Sequence, residues 1–177
     1  MDMLETDRLQ LRRFHWRDIR SVHQYAKHPG VGPPAGWKPH ENLFETAKAM
    51  RSFRKGKEVW AITLKSDGKV IGSIGLHPDR KRQDVRAGML GYVLAPEQWG
   101  HGYTTEAAKK IIDYGFESMK LDVISVCHYP QNLRSKRVIE KCGFTYEGTL
   151  RRAYKRYDGR ELDECCYSIL RQEWKER

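Results

Sequence analysis

A chain of 177 residues with 39% hydrophobic and 32% charged side chains can bury a core without staples and does not have the composition of a disordered protein, so one domain over 1–177 is expected. No run is long enough to span a bilayer, and the acidic start Met1–Arg8 lacks the charged-then-apolar pattern of a secretory leader, so a mature chain starting at or near Met1 is expected. A formal charge of +10 and a pI near 9.5 suit nucleic acid, an acidic surface or a phosphorylated ligand, and charge alone does not choose among them.

In chain order, Arg8–Phe14 alternates apolar and polar residues and predicts a first strand. A helix is expected from about Trp16 to Lys27, then a loop over His28–His40 too rich in Pro and Gly for regular structure, then a helix from about Glu41 to Arg54. Loops of that length and composition often serve binding. Glu58–Leu64 and Lys69–Leu76 read as an antiparallel pair joined at Ser66-Asp67-Gly68. The next strand, about Arg86–Leu94, runs through Ala95-Pro96 into the glycine-punctuated turn Gln98–Thr104.

From Thr104 onward Ala107, Ala108, Ile111, Ile112, Gly115, Phe116 and Met119 recur at helical spacing and mark the buried face of a helix. Val123–Cys127 is a short apolar strand, and Asn132–Cys142 a helix that Gly143 ends as a left-handed cap. A strand from Phe144, a hairpin at Tyr154–Arg160 and a last strand over Leu162–Leu170 complete the chain. Four cysteines, Cys127, Cys142, Cys165 and Cys166, fit neither a C-x-x-C metal pattern nor a spaced disulfide framework. They read as reduced structural thiols of a cytoplasmic protein with no metal site. Of the basic clusters, Arg80-Lys81-Arg82 and Arg151–Arg160 read as solvated surface, and Arg134–Arg137 is the third.

The turn before the long helix looks built for phosphate. Gly100 and Gly102 tolerate positive φ and let successive N–H groups converge on an anion, and the helix adds its unpaired amides and positive dipole end. A Walker loop would need a Lys before Ser or Thr, and Gly102-Tyr103-Thr104 has none. A dinucleotide-binding turn belongs after the first strand of a βαβ unit, whereas this one follows several antiparallel strands.

The turn instead resembles the Q/R-x-x-G-x-G/A pyrophosphate loop of the GNAT superfamily, the acetyl-CoA-dependent N-acetyltransferases. The resemblance runs along most of the chain. Glu5-Thr6-Asp7-Arg8-Leu9-Gln10-Leu11-Arg12 is similar to the opening strand of the branch containing the ribosomal-protein N-terminal (alanine/serine) acetyltransferases. Gly91-Tyr92-Val93-Leu94, Tyr103-Thr104-Thr105-Glu106-Ala107, Asn132-Leu133-Arg134-Ser135 and Glu140–Phe144 with Glu147-Gly148 follow in that branch's order. It implies an α+β GNAT fold: a central, mostly antiparallel, twisted sheet of about seven strands, splayed in the middle and flanked by about four helices.

It also implies transfer of an acetyl group from acetyl-CoA to a primary amine, a protein N-terminus or small molecule, by direct attack in a ternary complex. Val93 and Leu94 would meet the pantetheine. Gln98, Gly100, His101, Gly102, Tyr103 and Thr104 would hold the pyrophosphate, and Asn132 a pantetheine amide, with helix capping as its structural alternative. A backbone N–H near Tyr92 or Val93 would stabilise the oxyanion, and Ser135 would protonate the thiolate or merely satisfy the first helical turn. Glu97, His128, Tyr129 and Tyr154 are the candidates for the base, with Tyr154 standing where some relatives carry a carboxylate; residues such as Glu97, His128 and Tyr129 are more often ordinary surface or strand-end residues than bases. Trp37 and His40 would shape the acceptor site, with loop anchoring as the plain alternative for Trp37. A covalent route through Cys127 has no partner implied by spacing. A nucleic-acid- or ribosome-binding module and a non-catalytic CoA sensor are the alternative functions, though nucleic acid is not the expected partner. No membrane contact is expected, and the oligomeric state is open, a homodimer included.

Overall fold

The computed structural model describes residues 2–56, 58–82 and 84–176. The chain forms β1 (Leu4–Glu5), β2 (Leu9–Arg12), α1 (Ile19–Ala26), α2 (Leu43–Gly56), β3 (Val59–Leu64), β4 (Val70–Pro78), β5 (Ala87–Leu94), α3 (Tyr103–Glu117), β6 (Val123–His128), α4 (Leu133–Lys141), β7 (Thr145–Lys155), β8 (Glu161–Leu170) and α5 (Arg171–Lys175). One eight-stranded sheet has the order β1-β2-β3-β4-β5-β6-β8-β7. Every pairing in it is antiparallel except β5 with β6. The α+β architecture expected from the sequence is present, with β1 and the short α5 added.

Helices cover both faces of the sheet. On β3 the even residues Trp60 and Ile62 join one core with α3, through Ala107, Ala108, Ile111, Ile112 and Phe116. The odd residues Val59 and Ala61 join a second core with Val22, Tyr25 and Met50 of α1 and α2. Burial on both faces explains why β3 and β4 read as near-continuous apolar runs rather than as alternating strands. Gly115 lets α3 lie close to the sheet, since a Cβ there would come within 2.8 Å of Ile124 and 2.9 Å of Leu76.

Two helix starts differ from the periodic reading because local polar groups set them. Trp16–Asp18 is a 3₁₀ turn, so α1 begins only at Ile19. The turn is held by a buried pair in which Arg12 Nη1 and Nη2 donate to Asp18 Oδ2 and Oδ1 at 2.8 and 3.0 Å, while the His15 amide donates to Oδ2 at 2.8 Å. Before α2, Asn42 Oδ1 accepts from the Glu45 amide at 3.0 Å and caps the helix, moving its start from Glu41 to Leu43.

The feature that positions the site is the β5–β6 pairing. It covers Ala87↔Val123, Gly88↔Ile124 and Met89↔Ser125 and then stops. β5 continues to Leu94 paired only with β4, while β6 continues to His128 paired only with β8. The sheet therefore splits, and β5 keeps an unpaired edge from Leu90 to Leu94 among the described residues.

At Gly72, opposite Leu94, a Cβ would sit 2.3 Å from the Val93 carbonyl oxygen. Gly72→Ala should force β4 and β5 apart beside this edge and cost about 2 kcal/mol, read as a lower urea midpoint at unchanged m-value.

Candidate active site

The split opens into a cleft of about 810 Å³ whose lining runs from the glycine turn, along Leu90–Leu94, to a chamber beneath α1 and α2. At one end, Gly100 and Gly102 have φ of 84° and 80°, the left-handed region where any side chain is strained. A Cβ on Gly100 would meet nothing within 4 Å, so conformation rather than crowding selects glycine there. Gly102 is the cap of α3 and carries no side-chain cap; the first intrahelical bond runs from the Glu106 amide to the Gly102 carbonyl at 3.0 Å. The Tyr103, Thr104 and Thr105 amides thus have no intrahelical acceptor and are left open at the helix start, where helix geometry favours negative charge.

Of the residues assigned to the pyrophosphate, Gln98, Gly100, Gly102, Tyr103 and Thr104 line the cleft. His101 does not: its ring stacks on Tyr103 at 5.7 Å and its carbonyl accepts from Arg8 Nη1 at 3.0 Å. Arg8 also binds Glu106, whose Oε1 accepts from Thr6 Oγ1 at 2.5 Å. Burial pulls the Glu106 carboxyl upward, but these bonds outweigh it and hold the group below its usual range. Glu106 thereby ties the first strands to the start of α3.

Sequence reasoning named no basic side chain for this end. Arg134, Arg137 and Lys141 lie at i, i+3 and i+7 on α4 and all line the cleft, with Arg134 stacked 3.9 Å over the Trp99 ring. The cluster at Arg134–Arg137 was the available signal; helical spacing converts it from scattered charge into one positive face.

Midway along the cleft, Val93 and Leu94 line the unpaired edge, and Trp99 Nε1 donates to the Leu94 carbonyl at 3.0 Å. The Tyr92 hydroxyl lies 2.8 Å from Ser135 Oγ. Burial keeps the Tyr92 phenol protonated, raising its pKa against the opposing bond to Ser135. Asn132 does two jobs: Oδ1 accepts from the Ser135 amide at 3.1 Å as the α4 cap, and Nδ2 donates to the Pro34 carbonyl at 3.2 Å.

The long loop spans the mouth of the cleft as a strap. Pro34 is tied to Asn132, and the Gly36 carbonyl accepts from the Tyr154 hydroxyl at 3.0 Å. Gly36, with φ of 92°, leaves room where a Cβ would lie 2.6 Å from the Tyr129 hydroxyl. Trp37 and His40 line the chamber. His40 is held through Nδ1 to Thr46 Oγ1 at 3.0 Å, and the same buried hydroxyl meets His23 Nδ1 at 2.9 Å. Burial lowers the His40 pKa, so the ring is neutral near pH 7.

Of the four base candidates, Glu97 is set apart from the other three. Glu97 is exposed and borders a separate small pocket with Ser21, Gln24 and Lys69, outside the cleft. Tyr154 is not among the cleft-lining residues; its hydroxyl is engaged by the strap and its ring packs 5.8 Å from Tyr129. His128 lines the cleft, but its Nδ1 donates to the Tyr129 carbonyl at 2.8 Å. That tautomer leaves Nε2 as an acceptor, 3.4 Å from the Tyr167 hydroxyl. Tyr129 lines the cleft with its phenol pushed upward by burial.

Cys127 and Cys166 are cross-strand partners with Sγ atoms 3.1 Å apart. Lys81 Nζ lies 3.3 and 3.6 Å from them and pairs with Glu164. The ligand atoms of Cys127, Cys166 and Glu164 fall within 4.8 Å of one another, but the Lys81 ammonium already bonds all three. Burial and the Cys166 contact push the Cys127 thiol up to about 12, which disfavours the thiolate a covalent route would need.

A family model described as Acetyltransferase (GNAT) domain matches residues 8–145. The uncharacterised N-acetyltransferase YoaA of Bacillus subtilis (strain 168) is 30% identical over 174 residues, covering 96% of this chain and 97% of that protein. The putative ribosomal N-acetyltransferase YdaF of the same organism is 36% identical over 108 residues, covering 61% of this chain and 57% of that protein. Among solved structures, a GNAT-family acetyltransferase from Bacillus anthracis superposes with a TM-score of 0.88 at 26% identity, covering 97% of this chain and all of that one.

The double role of Asn132 predicts that Asn132→Ala loses both the α4 cap and the strap tether. Stability should fall by about 1 kcal/mol in urea denaturation, and backbone amides of the Pro33–His40 strap should exchange faster with deuterium than in the unaltered protein.

Proposed function

Because the chain belongs to the acetyltransferase (GNAT) family, we propose that it moves an acetyl group from acetyl-CoA to a primary amine by direct attack within a ternary complex. The observation that carries this reading is the single cleft in which an unpaired strand edge runs into a left-handed glycine turn and helix N-terminus. A pantetheine chain can bond the Leu90–Leu94 edge as a missing strand would, and a diphosphate can take the amides of Tyr103 to Thr105. Arg134, Arg137 and Lys141 supply countercharge. The domain acts as one unit in a reducing, cytoplasmic setting, in keeping with a facing Cys127–Cys166 pair left as thiols.

In this reading the amine attacks the thioester carbonyl, and a β5 amide near Tyr92 or Val93 stabilises the oxyanion. The carbon–sulfur bond then breaks, and Ser135 Oγ gives its proton to the departing thiolate. The Tyr92 hydroxyl, 2.8 Å away, orients Ser135 Oγ while staying protonated, and Ser135 recovers its proton from solvent. Ser73 and Val93 are register partners on the α1–α2 face of the sheet, and Ile74 and Tyr92 on the opposite face. Attack and thiolate protonation therefore take place on opposite faces of β5. The amine's proton passes to the neutral His40 ring in the chamber. From there the His40–Thr46–His23 chain leads towards solvent, each hydrogen bond about 3 Å long.

Isothermal titration should show saturable binding of acetyl-CoA, and its absence would remove the proposal. Ser135→Ala should lower kcat by about 100-fold with acetyl-CoA affinity almost unchanged. Unchanged turnover would defeat the role assigned to Ser135.

A further inference from the structure

Thr46 is wholly buried, and its hydroxyl lies where α1, α2 and the end of the strap converge. Around the oxygen stand His23 Nδ1 of α1 at 2.9 Å, His40 Nδ1 of the strap at 3.0 Å and the Asn42 carbonyl at 3.4 Å. The cap of α2 is supplied separately by Asn42 Oδ1, so the helix start does not require a hydroxyl at 46. The His40 ring is held on other sides as well: its amide donates to the Ala26 carbonyl at 3.0 Å, and the Trp37 ring lies 5.2 Å away.

Proton counting limits how these groups can bond. A hydroxyl has one proton to give, a neutral imidazole carries one N–H, and the Asn42 carbonyl can only accept. Thr46 can donate to one imidazole at most, so the other must give its Nδ1–H to Thr46. For His40 the two cases differ in what the ring shows to the chamber. His40 lines the chamber, and its Nε2 is neither sealed off nor bonded to protein among the described residues. With Nδ1–H given to Thr46, Nε2 keeps a lone pair; with Nδ1 accepting, Nε2 carries the hydrogen and can take no proton. In the first case the Thr46 proton still has His23 Nδ1 or the Asn42 carbonyl to receive it. The first case also survives proton uptake, because an imidazolium donates from both nitrogens and Thr46 is already the acceptor for Nδ1. Burial holds the ring neutral near pH 7, with His23 of α1 acting in the same direction and Glu45 of α2 against it.

We propose that Thr46 is a positioning residue that sets the tautomer of His40, so that Nε2 is the atom that receives the amine's proton. The inference rests on the acetyl-transfer reading and names the group that prepares its base. As the amine nitrogen bonds the thioester carbonyl carbon, one of its protons moves to His40 Nε2 and the electron pair stays on nitrogen. His40 becomes an imidazolium without turning its ring or exchanging a hydrogen-bond partner. Its Nδ1 proton then passes to Thr46 as the Thr46 proton passes to His23 Nδ1, and His23 releases a proton from Nε2 to solvent.

The direct test is the nitrogen spectrum of the full-length protein labelled with ¹⁵N-histidine, with Thr46→Val and Thr46→Ser beside the parent. Above its pKa, parent His40 should show a protonated Nδ1 and an unprotonated Nε2. Thr46→Ser keeps the hydroxyl and should keep that signature, whereas Thr46→Val should shift His40 towards the Nε2–H form. Transfer is then followed as released CoA thiol with Ala- and Ser-N-terminal peptides, phenethylamine and spermidine. On the best of these acceptors Thr46→Val should lower kcat by about tenfold, with acetyl-CoA affinity by calorimetry within about twofold of the parent. Thr46→Ser should stay within about twofold of the parent in both. Packing alone would not move the tautomer, so the spectrum decides the assignment even if Thr46→Val is too unstable to assay. A parent His40 carrying its hydrogen on Nε2, or an unchanged tautomer or kcat in Thr46→Val, would overturn the role given to Thr46. Loss of acetyl-CoA binding, or no transfer to any of these amines, would instead tell against the acetyl-transfer reading beneath it.

Discussion

Backbone amides and carbonyls inside a protein need partners, and the end of the β5–β6 pairing after Met89 and Ser125 leaves one stretch of this sheet without them. Most of the site follows from that break. Because β5 stays joined to β4 and β6 to β8, the two halves diverge without either strand unfolding. The gap forms part of the cleft lined by Leu90–Leu94. The same strand delivers the chain into Gly100 and Gly102, so an unpaired strand edge and a left-handed glycine turn at a helix start follow one another along the chain.

The two helical layers give the two sides of the gap different chemistry. On one side α4 presents Arg134, Arg137 and Lys141 together with Ser135, joined to Tyr92 across the break. On the other, α1, α2 and the strap present an apolar chamber with a neutral imidazole. The net charge of +10 is therefore not uniform in effect. Arg134, Arg137 and Lys141 concentrate positive charge on one face of α4, while other basic side chains are paired with carboxylates, as in Arg82 with Glu147 and Arg86 with Asp122.

The strap over His28–His40 joins these regions. It has no long regular element, only a 3₁₀ turn at Pro33–Ala35, yet its carbonyls are anchored at Asn132 and Tyr154 and its last residue at Thr46. Tyr154 earned attention in the sequence because relatives carry a carboxylate there. Here its hydroxyl is spent holding the strap. The thiols and Lys81 form a compact polar cluster beside the chamber in which a protonated Cys127 is a bonding partner rather than a nucleophile.

Local rules were enough to read much of this molecule. Helical spacing located α3 and α4, the Asp-Gly turn located the β3–β4 hairpin, and Gly100, Gly102 and the missing Walker Lys defined an anion site before any coordinates. Those features depend on residues near one another in the chain, where propensity and periodicity act directly. The spacing of Arg134, Arg137 and Lys141 was also present, but its meaning needed to know which face of α4 looked into the cleft. Whether Glu97, His128 or Tyr154 could act depended on partners far away in sequence: Tyr167 for His128, Gly36 for Tyr154, and for Glu97 the far side of a turn. Sequence alone determined the elements and the glycine turn at the start of α3; only the tertiary structure decided which groups face the gap, because burial and pairing are properties of contacts between distant segments.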